Sequence, residues 1–185
     1  TVSADRITEE VGEEAKGLGG GGGGEFGPVR TDFRDSAYWN PTVVTDEEGH
    51  ATVSVDLPDN LTTWRMSAWG VDVETKVGES YVDIMATKDL LVRPGNPRFF
   101  VVGDEAELGA VVHNNTDNDA EVTIALEADG LEIDGPSVHQ ESIPAGGKVR
   151  VAWPVVVGDA EEVTLQFGAK SATYADALKF TLPVY

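Results

Sequence analysis

Cysteine is missing altogether from this 185-residue chain. Its absence removes disulfides, thiolate nucleophiles and cysteine metal sites from consideration, and it leaves the redox compartment unreadable. Positive charge is scarce as well: 13 Lys and Arg stand against 33 Asp and Glu, a formal net charge of -20. Such a surface repels phosphate backbones and anionic headgroups, which argues against nucleic-acid partners and membrane contact. No apolar run approaches the roughly 20 residues that a membrane-spanning helix needs. The first residues lack the basic-then-apolar order of a secretory signal, so either the chain is cytosolic or it does not begin at a native start. Histidine occurs only as His50, His113 and His139, at neither metal-ligand nor triad spacing. No Asp-x-Asp-x-Asp-Gly loop with a downstream glutamate is present, so the acidity reads as a solvated surface suited to a salty habitat rather than as calcium binding.

What is present is an ordinary globular balance, 41% hydrophobic and 25% charged, in a chain long enough for one large core or two small ones. The start differs from the rest. Ile7, Val11, Ala15 and Leu18 recur at helical spacing, but Gly12 interrupts them and an isolated helix this short is marginal in water. The unbroken run Gly19 to Gly24 follows, and glycine loses the most backbone entropy on ordering. Residues 1–28 are therefore expected to be a disordered acidic and Gly-rich segment. The run has the letters of a phosphate-binding loop, yet no Gly-Lys-Ser/Thr follows it and no strand precedes it.

After Pro28 the period changes to two. AYWNPTVV, ATVSVDL, TTWRMSAWGVDV and SYVDIMA alternate apolar with polar residues, and turn residues such as Asp46, Gly49, Pro58, Asp59, Asn60 and Gly78 separate them. Ala51, Val53, Val55 and Leu57 oppose Thr52, Ser54 and Asp56, the pattern of a half-buried antiparallel strand. In the next run Trp64, Met66 and Ala68 share a phase that Trp69, Val71 and Val73 shift by one, which predicts a bulge near Ala68 and Trp69. The prolines of RPGNP, Arg93 to Pro97, mark a boundary, with residues 29–94 on one side and 95–185 on the other. Beyond it, RFFVV, ELGAVVH, AEVTIALEA, a run around Ser137 to Ile143, KVRVAWPVVV, EEVTLQFGA and DALKFTLPV are seven short strands. Leu108, Ala110 and Val112 share a face, as do Val122, Ile124 and Leu126, and Val149, Val151, Trp153 and Val155. That is the sequence form of an immunoglobulin-like sandwich without the antibody cysteine pair. Residues 29–94 supply only about four strands where such a sandwich needs about seven. Either they form one sheet packed on the second domain, or they complete a sandwich begun upstream of Thr1.

No catalytic, cofactor-binding or metal-binding constellation emerges, so the chain reads as a non-enzyme without a cofactor. DEEGH, Asp46 to His50, is explained by a polar turn between two strands. Asn60-Leu61-Thr62 and Asn114-Asn115-Thr116 fit a glycosylation acceptor pattern but read first as turn chemistry. Trp64 and Trp153 fall on inward faces and are assigned to cores, and Trp39 is expected to pack with Trp69 and Val71.

Specific strings carry more than periodicity. The segment from Val29 to Asp72 closely resembles the part of alpha-2-macroglobulin family proteins that follows the bait region, above all in LPDNLTTWR, with Leu57, Pro58, Asp59, Asn60, Trp64 and Arg65 as its signature. PRFFVVGDEAELGAVVHNNTDN, Pro97 to Asn118, is similar to the opening of the next macroglobulin domain in bacterial members. The resemblance implies an all-β architecture of two tandem immunoglobulin-like (macroglobulin) sandwich units. The first, residues 29–94, would be the rest of a domain that the bait region interrupts, and the second, 95–185, would be complete.

By the same resemblance the chain is a structural fragment of a broad-spectrum protease trap, extracytoplasmic (periplasm, cell surface or secreted). It would act as scaffold and conformational relay after bait cleavage. Its implied partners are target proteases, other macroglobulin domains and a thioester domain of the parent, whose Cys-x-Glu-Gln motif is absent here. Within and beside residues 1–28, Arg6, Lys16, Leu18, Phe26 and Arg30 are the side chains that common proteases would recognise. The alternative is an immunoglobulin-like spacer or binding module of a bacterial surface adhesin, with Trp39 and Trp69 as an aromatic platform.

Overall fold

Alternating sequence becomes strand where a neighbouring strand receives its backbone donors and acceptors. The computed structural model describes residues 25–185; the expectations for a marginal helix and a disordered glycine run lie outside the described residues. Among the described residues all regular structure is strand, and no helix is long and apolar enough to cross a membrane. Two units form, one of residues 61–87, the other of residues 25–60 with 88–185.

The larger unit holds a sandwich of two sheets. One sheet orders β1 (Val29–Arg30), β11 (Ala175–Pro183), β10 (Glu162–Lys170), β6 (Ala120–Asp129) and β8 (Val138–Ile143). The other orders β4 (Leu90–Gly95), β5 (Glu105–Asn114), β9 (Lys148–Val157) and β7 (Leu131–Ile133). The triplets β4-β5-β9 and β11-β10-β6 correspond to strands A-B-E and G-F-C of an immunoglobulin sandwich. The expected inward faces are inward: Leu108, Ala110, Val112, Val122, Ile124, Leu126, Val151, Trp153 and Val155 are all buried. Each fully buried apolar side chain of this size contributes roughly 1.5–3 kcal/mol relative to exposure. Trp153 sits at the centre, edge-on to His139 and Phe167, and its indole N–H donates to Ser137 O at 3.1 Å.

The first strand of this sandwich differs from the sequence expectation. RFFVV forms no strand; Phe100 makes only an isolated bridge to Val184. LLVRPG takes its place as β4, so Arg93, Pro94 and Gly95 lie inside a strand rather than in a linker. Pro94 is accommodated because β4 is the edge of its sheet, where a missing N–H breaks no ladder on the open side. The compact unit thus resumes at Lys88, seven residues before the expected boundary at residue 95.

Residues 31–60 depart further. The strands expected in AYWNPTVV and ATVSVDL do not form, and most of the segment is exposed. The turn between them does form: Asp46 N donates to His50 O, and the Asp46 carboxylate accepts from the amides of Glu48 and His50, with Gly49 at φ +82°. A turn can close locally, whereas a strand needs a partner, and no ladder bonds flank this one.

The smaller unit is a hairpin of β2 (Thr63–Val71) and β3 (Val77–Met85). Its register runs without interruption from Thr63↔Met85 to Val71↔Val77, so the expected bulge at Ala68 and Trp69 is absent. The shift in apolar phase is a change in which face carries large side chains, not an inserted residue. Trp64 is half-buried rather than core, while Met66, Trp69, Val71, Val77, Tyr81 and Met85 are exposed. The connecting turn repeats the bonds of the Asp46 turn, with the Asp72 carboxylate accepting from Glu74 N and Lys76 N, but it places Thr75, not glycine, at φ 64°. A β-branched residue is strained there, so Thr75→Gly is expected to stabilise the hairpin by up to about 1 kcal/mol. Slower hydrogen exchange of the β2 and β3 amides checks this; faster exchange contradicts it.

Candidate functional site

Among the described residues the buried polar side chains are Arg30, Asn114 and Asp176. Two of them meet. Asp176 shares the inward side of β11 with Leu178 and has 0% relative exposure. Its Oδ1 accepts from Arg30 Nε at 2.9 Å and from Lys88 Nζ at 2.9 Å. Its Oδ2 accepts from Arg30 Nη2 at 2.8 Å and from the amide of Val92 in β4 at 3.0 Å. Arg30 spends its other donors on Val92 O at 3.2 Å and Asp59 O at 3.3 Å. One carboxylate thus gathers β1, β4 and β11 with Lys88, and Arg30 adds the Asp59 loop.

Burial alone would raise the Asp176 pKa, but the hydrogen bonds from Arg30, Lys88 and the Val92 amide prevail and hold it below the ordinary carboxylate range. The folded value lies below the unfolded one, so this contribution to stability is present above about pH 4 and is lost as pH falls through the folded value. His113 on β5 is lowered by burial and then by Arg93 and Lys148. Its contribution is complete above about pH 6.5 and is lost as pH falls through its folded value. Denaturation midpoints are therefore expected to fall in two stages on acidification, with Asp176→Asn weakening the stage below about pH 4. A midpoint that stays constant from neutrality to about pH 4 contradicts the His113 assignment, and one that falls no further below about pH 4 contradicts the Asp176 assignment.

Of the residues expected as a family signature, Asp59 touches this hub, its carbonyl accepting from Arg30 Nη1. Pro58 is buried, and Asp59 and Asn60 are half-buried. The Asp59 carboxylate accepts from the amides of Thr31 and Asp32 at 2.8 and 2.9 Å, and Asn60 Oδ1 accepts from Arg34 N at 3.1 Å. LPDN is thus a clamp on the chain that leaves β1. Leu57 remains exposed. In the hairpin unit Arg65 donates twice to Asp83 at 2.8 Å and covers the Tyr81 ring at 4.4 Å. The hydrogen bond to Arg65 lowers the Asp83 pKa.

Of the side chains assigned to proteases, Arg6, Lys16 and Leu18 lie outside the described residues. Phe26 and Arg30 are not in an open segment. Both are buried, Phe26 against Ala125 and Ala177 and Arg30 on Asp176, so neither backbone is free to enter a protease cleft in this state. Nothing in the sequence reading singled out Asp176. The signal was a carboxylate at the inward phase of a strand, two residues before Leu178.

Three other motifs reduce to structure. Asn114 is buried, its amide donating to the carbonyls of Asn118, Ile143 and Pro144 and its oxygen accepting from Thr116, which makes it a turn-holding residue and no glycan acceptor. Asp46, Glu48 and His50 bring ligand atoms within 4.8 Å of one another, but all three are exposed and the turn bonds account for their proximity. Trp39 and Trp69 keep 72% and 64% exposure, so the packing expected of them does not bury them.

The model of the Alpha-2-macroglobulin family matches residues 36–126. The chain is 40% identical over 119 residues to an alpha-2-macroglobulin homolog of Nostoc sp., a match to 62% of this chain and 6% of that protein. It is 27% identical over 159 residues to an alpha-2-macroglobulin of Thermotoga maritima, covering 84% of this chain and 10% of that one. Trypsin-activated alpha-2-macroglobulin from Escherichia coli shares the fold, with a TM-score of 0.69 at 19% identity over 75% of this chain and 10% of that one. The chain therefore spans a tenth or less of the length of these relatives. With an all-β sandwich in the structure and these matches to the family model and to alpha-2-macroglobulin homologues, the chain belongs to the alpha-2-macroglobulin family.

Proposed function

We propose that the chain is the post-bait part of a protease trap that acts outside the cytoplasm. In this reading residues 1–24 include the cleavage segment, residues 31–87 are the remainder of the domain it interrupts, and residues 88–185 are a complete macroglobulin domain. The observation that carries the reading is the contrast between the sandwich and a preceding block in which the strand-like residues 37–57 join no sheet and β2 and β3 pair only with each other. Val44, Val53 and Leu57 stay exposed in that block, and the hairpin exposes Met66, Val82 and Met85. Such surfaces mark places where other protein is meant to pack. Upstream strands of the same domain supply it in this reading.

The role of the chain is then mechanical. Cleavage before Glu25 frees one end of the polypeptide that enters β1, and the Asp176 hub receives that change. A thioester, where a parent carries one, captures the protease elsewhere in the chain. The adhesin alternative is not favoured, since its exposed tryptophans come with matches to alpha-2-macroglobulins.

Brief exposure to trypsin, chymotrypsin and elastase, with cut sites read by mass spectrometry, tests the proposal. The first cuts are expected beside Arg6, Lys16 and Leu18, before any at Phe26 or Arg30 or within residues 88–185. First cuts at Phe26 or Arg30, or resistance of residues 1–24 equal to that of the sandwich, would overturn it.

A further inference from the structure

The segment that enters the sandwich holds the edge of its sheet from both faces. Val29 and Arg30 run parallel to β11, opposite Ala177 and Leu178. On the outer face, Ala125, Gly168 and Ala177 stand in direct register across β6, β10 and β11. This row of small residues is the seat of the Phe26 ring, and a Cβ built on Gly168 would lie 2.5 Å from Phe26 Cγ. On the inner face, Arg30 reaches Asp176 and Val92 O. The hold is strong for its size, yet β1 itself is only two residues long.

The donor arrangement at Asp176 is what makes this segment separable. Each carboxylate oxygen has two donors, one from Arg30 and one from the sandwich unit's own frame: Lys88 Nζ on Oδ1 and Val92 N on Oδ2. Departure of Arg30 would leave every oxygen with a partner and the charge paired to Lys88. A buried carboxylate is costly when orphaned, and here it is not orphaned. The outer seat would lose only one ring from a row of small side chains. Nothing in the core cluster around Trp153 belongs to the segment.

We propose that residues 25–30 are a releasable strap with two states, docked on β11 through Phe26 and Arg30, or detached with Asp176 held by Lys88 and Val92 alone. Release exposes the sheet edge of β11 and frees the Asp59 clamp from Arg30 while the sandwich stays folded. This deepens the protease-trap reading and rests on it for its purpose: the strap is the step by which a change before Glu25 reaches the complete domain. The two-state behaviour itself is a property of this chain whether or not that reading holds.

Trypsin reports the detached state directly, because cutting after Arg30 requires β1 to leave β11. Gly168→Ala places a methyl group where the Phe26 ring sits, and Phe26→Ala removes the ring while leaving β10 unaltered. Both variants are expected to speed the Arg30–Thr31 cut by about tenfold or more, with the thermal midpoint of the sandwich, followed by circular dichroism, nearly unchanged. In the unsubstituted chain the same cut is expected to depend on urea far more weakly than global unfolding does. The proposal is overturned if that cut follows urea as steeply as global unfolding, or if the Phe26→Ala rate equals that of the unsubstituted chain. Resistance of residues 1–24 to every protease would instead remove the trap reading and leave the strap standing.

Discussion

Asp176→Ala is expected to destabilise the sandwich by about 3–5 kcal/mol, the cost of leaving the buried Arg30 guanidinium without its counter-ion. The amide of Val92 loses its acceptor at the same time. Arg30→Ala should cost distinctly less, because Asp176 then retains Lys88 and the Val92 amide. Urea denaturation followed by tryptophan fluorescence measures both. The asymmetry is the informative result: a hub that serves three donors fails when the acceptor goes, whereas one strap donor is dispensable. Equal losses from the two substitutions would mean that the ion pair works as an isolated couple and that Lys88 contributes nothing to the site. Since a domain of this size is stable by only about 5–15 kcal/mol, the Asp176→Ala chain is best handled at low temperature or with a stabilising osmolyte.

Trp153→Ala carries the second large effect, about 3–5 kcal/mol for removing a fully buried aromatic side chain. Its ring is 0% exposed and lies 5.3 Å from His139 and 5.8 Å from Phe167, centroid to centroid. Its removal opens a cavity between the two sheets and leaves Ser137 O without its indole donor. Trp39→Ala and Trp69→Ala are expected to change stability by no more than about 0.5 kcal/mol, as exposed positions do. The three substitutions therefore divide the tryptophans by role. A loss at Trp39 or Trp69 comparable to that at Trp153 would contradict the exposure of residues 31–60 and of the hairpin.

Much of the sandwich was legible because its signals are self-contained. AEVTIALEA and EEVTLQFGA alternate cleanly, and their partners lie within the same chain, so β6 and β10 pair in the register that buries Leu126 against Phe167. The same alternation in ATVSVDL misled, since periodicity reports which face would be buried and not whether a neighbour is present to receive the ladder. Pro94 misled in a different way: proline breaks a central strand, but an edge strand tolerates it. The three-residue β7, LEI, is too short to show any period.

The hub was legible only in retrospect, and for a physical reason. Asp176 lies at the inward phase of β11, where an unpartnered carboxylate would be untenable, so the sequence does announce that a cation must come to it. Which cation comes is a matter of tertiary approach across 146 positions, and no local pattern links Arg30 to Asp176. The Phe26 seat has a weaker signal still. Ala125, Gly168 and Ala177 are unremarkable singly, and become a groove only once the register aligns them. The strings LPDN and TTWR pointed to the family. What Asp59 and Asn60 do, clamping the amides of Thr31, Asp32 and Arg34, depends on a loop closure over more than 25 residues that no local pattern encodes.

Amide hydrogen exchange over the whole chain tests the proposal at the centre of the account, that a self-sufficient sandwich follows a block whose strand partners are supplied from elsewhere. Amides of β5, β6, β9 and β10 are predicted to exchange about three orders of magnitude more slowly than those of residues 39–57, which should exchange at nearly the unfolded rate. Protection of residues 39–57 equal to that of β5 and β10 would contradict the account.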